Sequence, residues 1–487
     1  MYHTTDMRND RPILSKNIRW LIFWTQFFWM ANINLSSGTM AAAGPVIKAN
    51  IGLMDMEYGS ISAIYGIGRV AGAIMFAFVI NVVNRKFLLL VAVWIKVVTL
   101  VPYYFSSNGP LLIFVRCFSG IGHIWGVIYG PLWVSQYGVK KWLGFQNLTI
   151  SAANAFGRGS GYLLDLLMTS EKYREGFLLN ALGCFLCGVV FHLTPSIYFS
   201  SKLEAINQAE SDELLTDVEK QYVSIFNIRK SEEGEKDVNV FRFNGNLLCN
   251  GVYMWLLCAR IVIVAHVSLI QYWTPNYVQL TLGYKNKVLV TWIYFFMIVF
   301  NPVIGTKLGG FFVKCVGGYR AKKSMLVVFI FNLLAVCSWA VTPWVNEWQK
   351  YLLFSGFYQV LGSAVLPSIG GIMSSCIDKA DSIKSAWIIG IASVAFGGVP
   401  APYVYGVTMD FMSEYDDRFG MKMFLCFDIL GLVYILIATC LRWKNLPANE
   451  YEGAENEKLV GVEGTQDIHI SPEVISYTKN SKLLDED

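Results

Sequence analysis

Long apolar stretches separated by short polar segments recur along the 487 residues. They fall at about 20–43, 58–83, 87–104, 111–137, 142–168 and 176–199, then at about 247–278, 288–313, 324–342, 351–376, 385–409 and 421–441. Crossing a hydrocarbon core takes roughly 20 apolar residues in an α-helix. Lipid offers no partner to free backbone groups, so such runs are expected to be helical. The pattern predicts an all-α polytopic membrane protein with twelve spans, set out as six, a linker, then six. The expected segments are an N-terminal stretch 1–19, a six-helix bundle 20–199, a linker 200–246, a second bundle 247–441, and a disordered acidic tail 442–487.

Composition agrees with that pattern. Hydrophobic residues make up 54% of the chain and charged residues 15%, against about 25% charged in a typical soluble domain. Residues 1–19, 200–246 and 442–487 hold 37 of the 74 Lys, Arg, Asp and Glu, so the remainder is too apolar to present a water-soluble surface. A soluble enzyme and a disulfide scaffold are both excluded. The ten cysteines lie in or beside apolar runs, and Cys184-x-x-Cys187 falls mid-helix, so packing thiols are expected. A polar stretch precedes the first run, which is too long for a signal h-region, so no cleavable signal is expected.

Loop charges give an orientation. With the N-terminus inside, the cytoplasmic short segments hold 16 Lys and Arg and the opposite face holds 8, which puts both termini and the linker in the cytoplasm. The basic residues are scattered, which argues against a nucleic-acid partner. The linker sequence Glu210-Ser211-Asp212-Glu213-Leu214-Leu215 has the form of an acidic dileucine sorting signal. The expected location is therefore an endolysosomal or plasma membrane.

No H-E-x-x-H, Walker lysine loop or G-x-S-x-G is present, so no metal, cofactor or hydrolytic chemistry is expected. The glycine-rich stretch Tyr65–Gly72 lies inside an apolar span with no strand before it, so it reads as close helix packing, not a nucleotide loop. Gly157, Gly159 and Gly161 read the same way.

Ionisable groups within the spans carry more information, because each costs at least ~2.5–3.5 kcal/mol at the bilayer centre. Six are cations, Arg69, Lys96, Arg116, Arg158, Arg260 and Lys307, and two are acids, Asp165 and Asp428. Lys96 and Lys307 are expected to snorkel, and the arginines to face an aqueous cavity that receives an anion. Asn147, Asn154, Arg158 and Asp165 fall on one stripe of their helix, as do Arg116 with His123 and Arg260 with Gln271. The alternative is a set of interhelical hydrogen bonds.

Twelve spans in a six-plus-six layout resemble the major facilitator superfamily. Arg116-x-x-x-Gly120-x-Gly122 looks like its span 4 arginine motif. Ala77–Lys86 resembles a worn copy of its span 2–3 loop, keeping the basic end at Arg85 and Lys86. Within the superfamily, the Spinster lipid transporters are the family resembled most. The matching stretches are Gln271-Tyr272-Trp273-Thr274-Pro275-Asn276-Tyr277, Gly305-x-x-x-Gly309-Gly310 with Tyr319-Arg320-Ala321, and Gly397–Pro402 with Gly406 and Asp410. The family's span 1 aspartate has no counterpart near Asn32, Asn34, Ser36 and Ser37, and its span 4 glutamate is His123 here.

The resemblance implies a secondary transporter that works by alternating access, with a site near the midplane. The expected substrate is an anionic or zwitterionic amphiphile of the lysophospholipid or sphingoid-phosphate type. A small organic anion, and a non-transporting receptor or assembly subunit, remain open as alternatives. Arg69, Arg116, Arg158, Arg260, Asn154, Gln271 and Trp273 are the candidate substrate contacts, with Trp125, Trp133 and Tyr272 flanking the apolar part. His123 and Asp165 are the candidate coupling groups, and protons the candidate partner, since an unperturbed imidazole titrates at about 6.5.

Overall fold

The computed structural model describes residues 16–79, 83–105, 108–139, 142–167, 172–199, 247, 249–284, 286–377 and 382–445. Its first half comprises α1 (Lys16–Ala42), a short α2 (Gly44–Ile51), α3 (Asp55–Val79), α4 (Arg85–Phe105), α5 (Gly109–Tyr137), α6 (Leu143–Leu167) and α7 (Tyr173–Leu193). The second half comprises α8 (Gly251–Asn276), α9 (Lys287–Cys315), α10 (Lys323–Val341), α11 (Trp348–Ser375), α12 (Ser382–Ala392), α13 (Pro400–Met412) and α14 (Phe419–Asn445). A π turn at Ser393–Gly398 joins α12 to α13, and the two make a single apolar crossing. Contacts divide the chain into Met1–Leu441 and Arg442–Asp487, and of the second unit only the last turn of α14 is described. The 200–246 linker with its dileucine stretch, and the chain beyond Asn445, lie outside the described residues.

Among the described residues, counting α12–α13 once and leaving out α2, twelve long helical segments result, as the apolar pattern predicts. Ten of them are both long and apolar enough to cross a membrane. The other two, α1 and α6, have 27 and 25 residues but carry more polar side chains. Those polar groups bond to each other. Asn34 Nδ2 donates to Asn154 Oδ1 at 2.8 Å, and Thr39 Oγ1 to the Gly161 carbonyl at 3.2 Å. A helix can be polar on one face inside a bilayer when a neighbour satisfies that face.

Local signals set the helix starts. Asn108, Asn250 and Asn286 each accept the backbone N–H three residues on, at the first turns of α5, α8 and α9. The Tyr65–Gly72 glycines serve helix packing. A Cβ on Gly68 would stand 2.0 Å from the Cys117 carbonyl oxygen, so α3 and α5 cross at backbone distance.

Crossings alternate in direction, which gathers Val79, Arg85, Tyr137, Leu143, Leu193 and Gly251 at one end. Arg85 Nη1 donates to Gln136 at 3.1 Å there, and Lys86 Nζ to the His192 carbonyl at 2.9 Å. Phe199, the last described residue of the first half, and Leu247, the first of the second, lie toward this end, termed the linker end. The opposite one is the far end.

Candidate functional site

At the far end the two halves are closed against each other. Gly59 of α3 and Gly406 of α13 let the helices touch, since a Cβ on either would meet a carbonyl oxygen of the other helix at 2.4 and 2.3 Å. Asp410 then accepts from the Asp55 and Met56 amides at 3.0 and 2.7 Å, placing a carboxylate on the N-terminus of α3. Tyr272 stacks on Tyr58 with ring centroids 4.7 Å apart, and its hydroxyl donates to the Tyr58 carbonyl at 2.8 Å. Trp273 packs edge-on to Tyr58 and donates to the Pro402 carbonyl. Tyr162 of α6 bonds to the Gln271 carbonyl of α8. Trp273 and the Gln271 backbone therefore sit in this closure.

On the linker side of the closure, a cavity of about 320 Å³ separates α3 and α5 from α12 and its π turn. Its wall is formed by Val70, Ala73, Ile124, Val127, Trp387 and Ile391 among others, and its single charged residue is Arg69. Phe76 and Trp387 lie 6.4 Å apart beside it. Trp125 packs on Phe76 and Trp133 donates to the Tyr198 carbonyl, so these two, like Tyr272 and Trp273, pack within the protein. None of these four, expected to flank a substrate, lines the cavity in this closed-far-end state; the tryptophan on it is Trp387.

Arg69 lies one turn along α3 from Tyr65, and Tyr65 is the centre of a buried basic cluster. Its hydroxyl is 2.6 Å from His123 Nδ1. The Arg116 guanidinium lies 4.3 Å from its ring centroid, and Lys96 Nζ lies 5.4 Å from the same point. Lys96 donates to Ser119 at 2.7 Å and Ser36 at 3.2 Å, and Arg116 to Ser37 at 3.3 Å. Lys96 is fully buried and Arg116 is 1% exposed, so the expectation that Lys96 snorkels is also corrected. The step of Arg116 and His123 along one face of α5 aims both at α3, α4 and α1, not at lipid. Lys307, by contrast, is exposed on α9. Among the described residues no carboxylate lies within ion-pair distance of Lys96 or Arg116.

The other predicted residues are dispersed. Asn154 bonds to Asn34. Arg158 is partly buried one turn further along α6, and Asp165 is buried near its end. Arg260 Nη1 donates to the Leu366 carbonyl of α11 at 2.8 Å and lies away from the cavity lining. Cys184 and Cys187 are buried free thiols.

A second buried polar cluster, in the other half, had not been singled out in the sequence. His266 Nδ1 of α8 lies 2.7 Å from Asp428 Oδ2 of α14. Tyr358 of α11 donates to Asp428 Oδ1 at 3.0 Å. The acid alone was visible as an intramembrane charge; its histidine lies far away in sequence, inside an apolar run.

The sequence profile described as the Major Facilitator Superfamily matches residues 22–402. No curated protein matches. A bacterial homologue of the human lysosomal transporter Spinster, solved inward-facing and unoccupied, superposes with TM-score 0.70 at 12% identity, covering 90% of this chain and all of that one. A D-xylose–proton symporter gives TM-score 0.61 at 15% identity over 88% of this chain and 97% of its own. A nucleoside transporter gives 0.62 at 11% identity over 87% and 100%. At these identities the likeness is one of fold.

Proposed function

The chain belongs to the major facilitator superfamily, and on that premise we propose that it carries an anionic or zwitterionic amphiphile by alternating access. It is a multi-pass membrane transporter and not an enzyme. The observation that carries the substrate reading is the 320 Å³ cavity, whose wall is apolar apart from one arginine. An acyl or sphingoid chain fits such a wall, and a phosphate fits Arg69 through charge-assisted hydrogen bonds. The basic cluster adjoins it: Ile124 lines the cavity and follows His123 directly in α5. Two buried cations with only hydroxyls and rings as partners favour an anion drawn inward from Arg69 toward Arg116.

The closed far end and the cavity beyond it support a state open toward the linker end. The Lys and Arg bias of the loops makes that face the cytoplasmic one, with an endolysosomal or plasma membrane as host. Asn154, Arg158, Arg260, Gln271 and Trp273 join the substrate path when the halves rock and the far-end closure opens. His123, through the Tyr65 hydroxyl, and Asp165 are the proposed coupling groups of the first half.

Ligand-induced stabilisation of the purified protein tests the reading. A lysophosphatidate should raise the melting temperature of the wild type, whereas a monoacylglycerol of equal chain length should not. Arg69→Gln should weaken the lysophosphatidate response about tenfold in concentration, the loss of one charge-assisted bond. Equal responses to the two lipids would refute the head-group assignment.

A further inference from the structure

The His266–Asp428 pair stands apart from the proposed substrate path and holds chemistry of its own. We propose that it is a proton-binding site in the second half, and that its proton occupancy biases the far-end closure.

The argument begins with what surrounds the pair. The His266 side chain is 1% exposed and that of Asp428 is 2% exposed. From α11, Tyr358 donates to the carboxylate and its ring lies 4.2 Å from the imidazole. From α10, Trp339 packs edge-on to the imidazole, also at 4.2 Å, and α14 adds Phe424. The nearest cation along α8 is Arg260, which is turned to the Leu366 carbonyl. Among the described residues no Lys or Arg is within ion-pair distance of Asp428. His266 Nε2 has no hydrogen-bond partner among them either. The site therefore holds one acid, one base and one phenol, walled by aromatic rings.

With one proton the pair is neutral overall, as imidazolium with carboxylate or as imidazole with carboxylic acid. A second proton, delivered by hydronium and leaving water behind, forms the carboxyl O–H beside an imidazolium. The site then carries one positive charge with nothing to offset it. A sealed aromatic pocket opposes that charge strongly, so the second proton requires water to reach the pair. Conformation and proton occupancy are thereby linked.

Two routes connect the pair to the moving parts. Trp273 lies seven residues after His266 on the same face of α8, and Tyr272 beside it makes the closure bond to Tyr58. In the other direction, Gly397 of the π turn lies against α8, where a Cβ would meet Ile261 O at 2.5 Å and Ala265 N at 3.2 Å. Ala265 precedes His266, and Val394 of the same π turn lines the cavity. α8 thus joins the proton pair to the closure and to the cavity.

The test needs no transported substrate, so it fails or succeeds independently of the substrate reading. Hydrogen–deuterium exchange of the full chain in nanodiscs is followed through a pH series from 7.5 to 5.5, corrected for intrinsic exchange. The amides of Asp55 and Met56, bonded to Asp410, report the closure. In the wild type their exchange should change about fivefold or more between the two pH values. His266→Gln with Asp428→Asn together removes both charges and keeps the polar shapes, and should abolish the change. Tyr358→Phe withdraws a hydrogen-bond donor from the Asp428 carboxylate, and should move the midpoint of the change. A pH-independent wild type, a persisting response in the double variant, or an unmoved midpoint in Tyr358→Phe each overturns the proposal. If the double variant does not fold, the midpoint of Tyr358→Phe decides.

Discussion

The two halves of the protein bury charge in opposite ways. In the first, Lys96 and Arg116 meet only serine hydroxyls and tyrosine rings, so two positive charges share one pocket. In the second, His266 and Asp428 meet each other and leave no net charge when they share one proton. Water-excluded charge is costly, and a fold keeps it only when something compensates. Around His266 the compensation is built in. Around Arg116, on the function proposed above, it is supplied from outside by an anion that enters through the cavity at Arg69. In the account proposed here, the same architecture offers a ligand site in one half and a proton site in the other.

Removing one partner from each cluster should break this comparison most visibly. His266→Ala leaves Asp428 buried with Tyr358 alone, and should cost about 3–5 kcal/mol of stability, read as a large fall in melting temperature. The double replacement of His266 by Gln and Asp428 by Asn should cost much less. If the single and double variants melt alike, the pair is not electrostatically coupled. Arg116→Gln should act on ligand handling, with the protein still folded. The loss of a charge-assisted hydrogen bond, about 1.5–3 kcal/mol, corresponds to a 10–150-fold fall in transport of an anionic lysolipid. Undiminished transport would remove Arg116 from the path.

Lys96→Met sharpens the contrast further. It removes one of two like charges from a pocket that is apolar apart from hydroxyls and rings. The empty protein should become more stable, by about 1 kcal/mol, while lysolipid transport falls. Destabilisation would mean that Lys96 is already compensated. The smallest effect is expected outside the membrane spans. Asp416 lies 2.6 Å from Lys422, and that hydrogen bond holds its carboxyl below the usual carboxylate range. A depressed value contributes stability above that range and loses it as the pH falls through it. The pair is partly exposed and screened by solvent, so Asp416→Asn should lower the melting temperature only slightly at neutral pH, and the difference should vanish in acid.

The apolar runs revealed the crossings because lipid enforces helices wherever the chain is apolar enough. They did not distinguish α1 and α6, whose polar faces are satisfied by each other through Asn34 and Asn154. The Arg116–His123 spacing pointed correctly to a shared face. It could not reveal that Tyr65 of another helix lies over both, because ring contacts between helices leave no periodic trace. Lys96 read as a snorkelling residue because nothing in its own helix names Ser36 and Ser119 as partners. His266 and Asp428 stand in different spans, and only the tertiary fold makes them a pair. Trp273, read as a substrate contact, packs in the closure in this state, because the same aromatic surface can pack on a ligand or on Tyr58.

The most direct measurement uses purified protein in liposomes and a fluorescent lysophosphatidate, with inward movement followed by loss of extraction into external albumin. A small water-soluble phosphate ester, carried past the same membrane, serves as the companion substrate. The account predicts that lysophosphatidate crosses at least about tenfold faster than in protein-free liposomes, the scale of a single charge-assisted bond, and that the small ester does not accumulate. A lysophosphatidate rate equal to that of protein-free liposomes would contradict it.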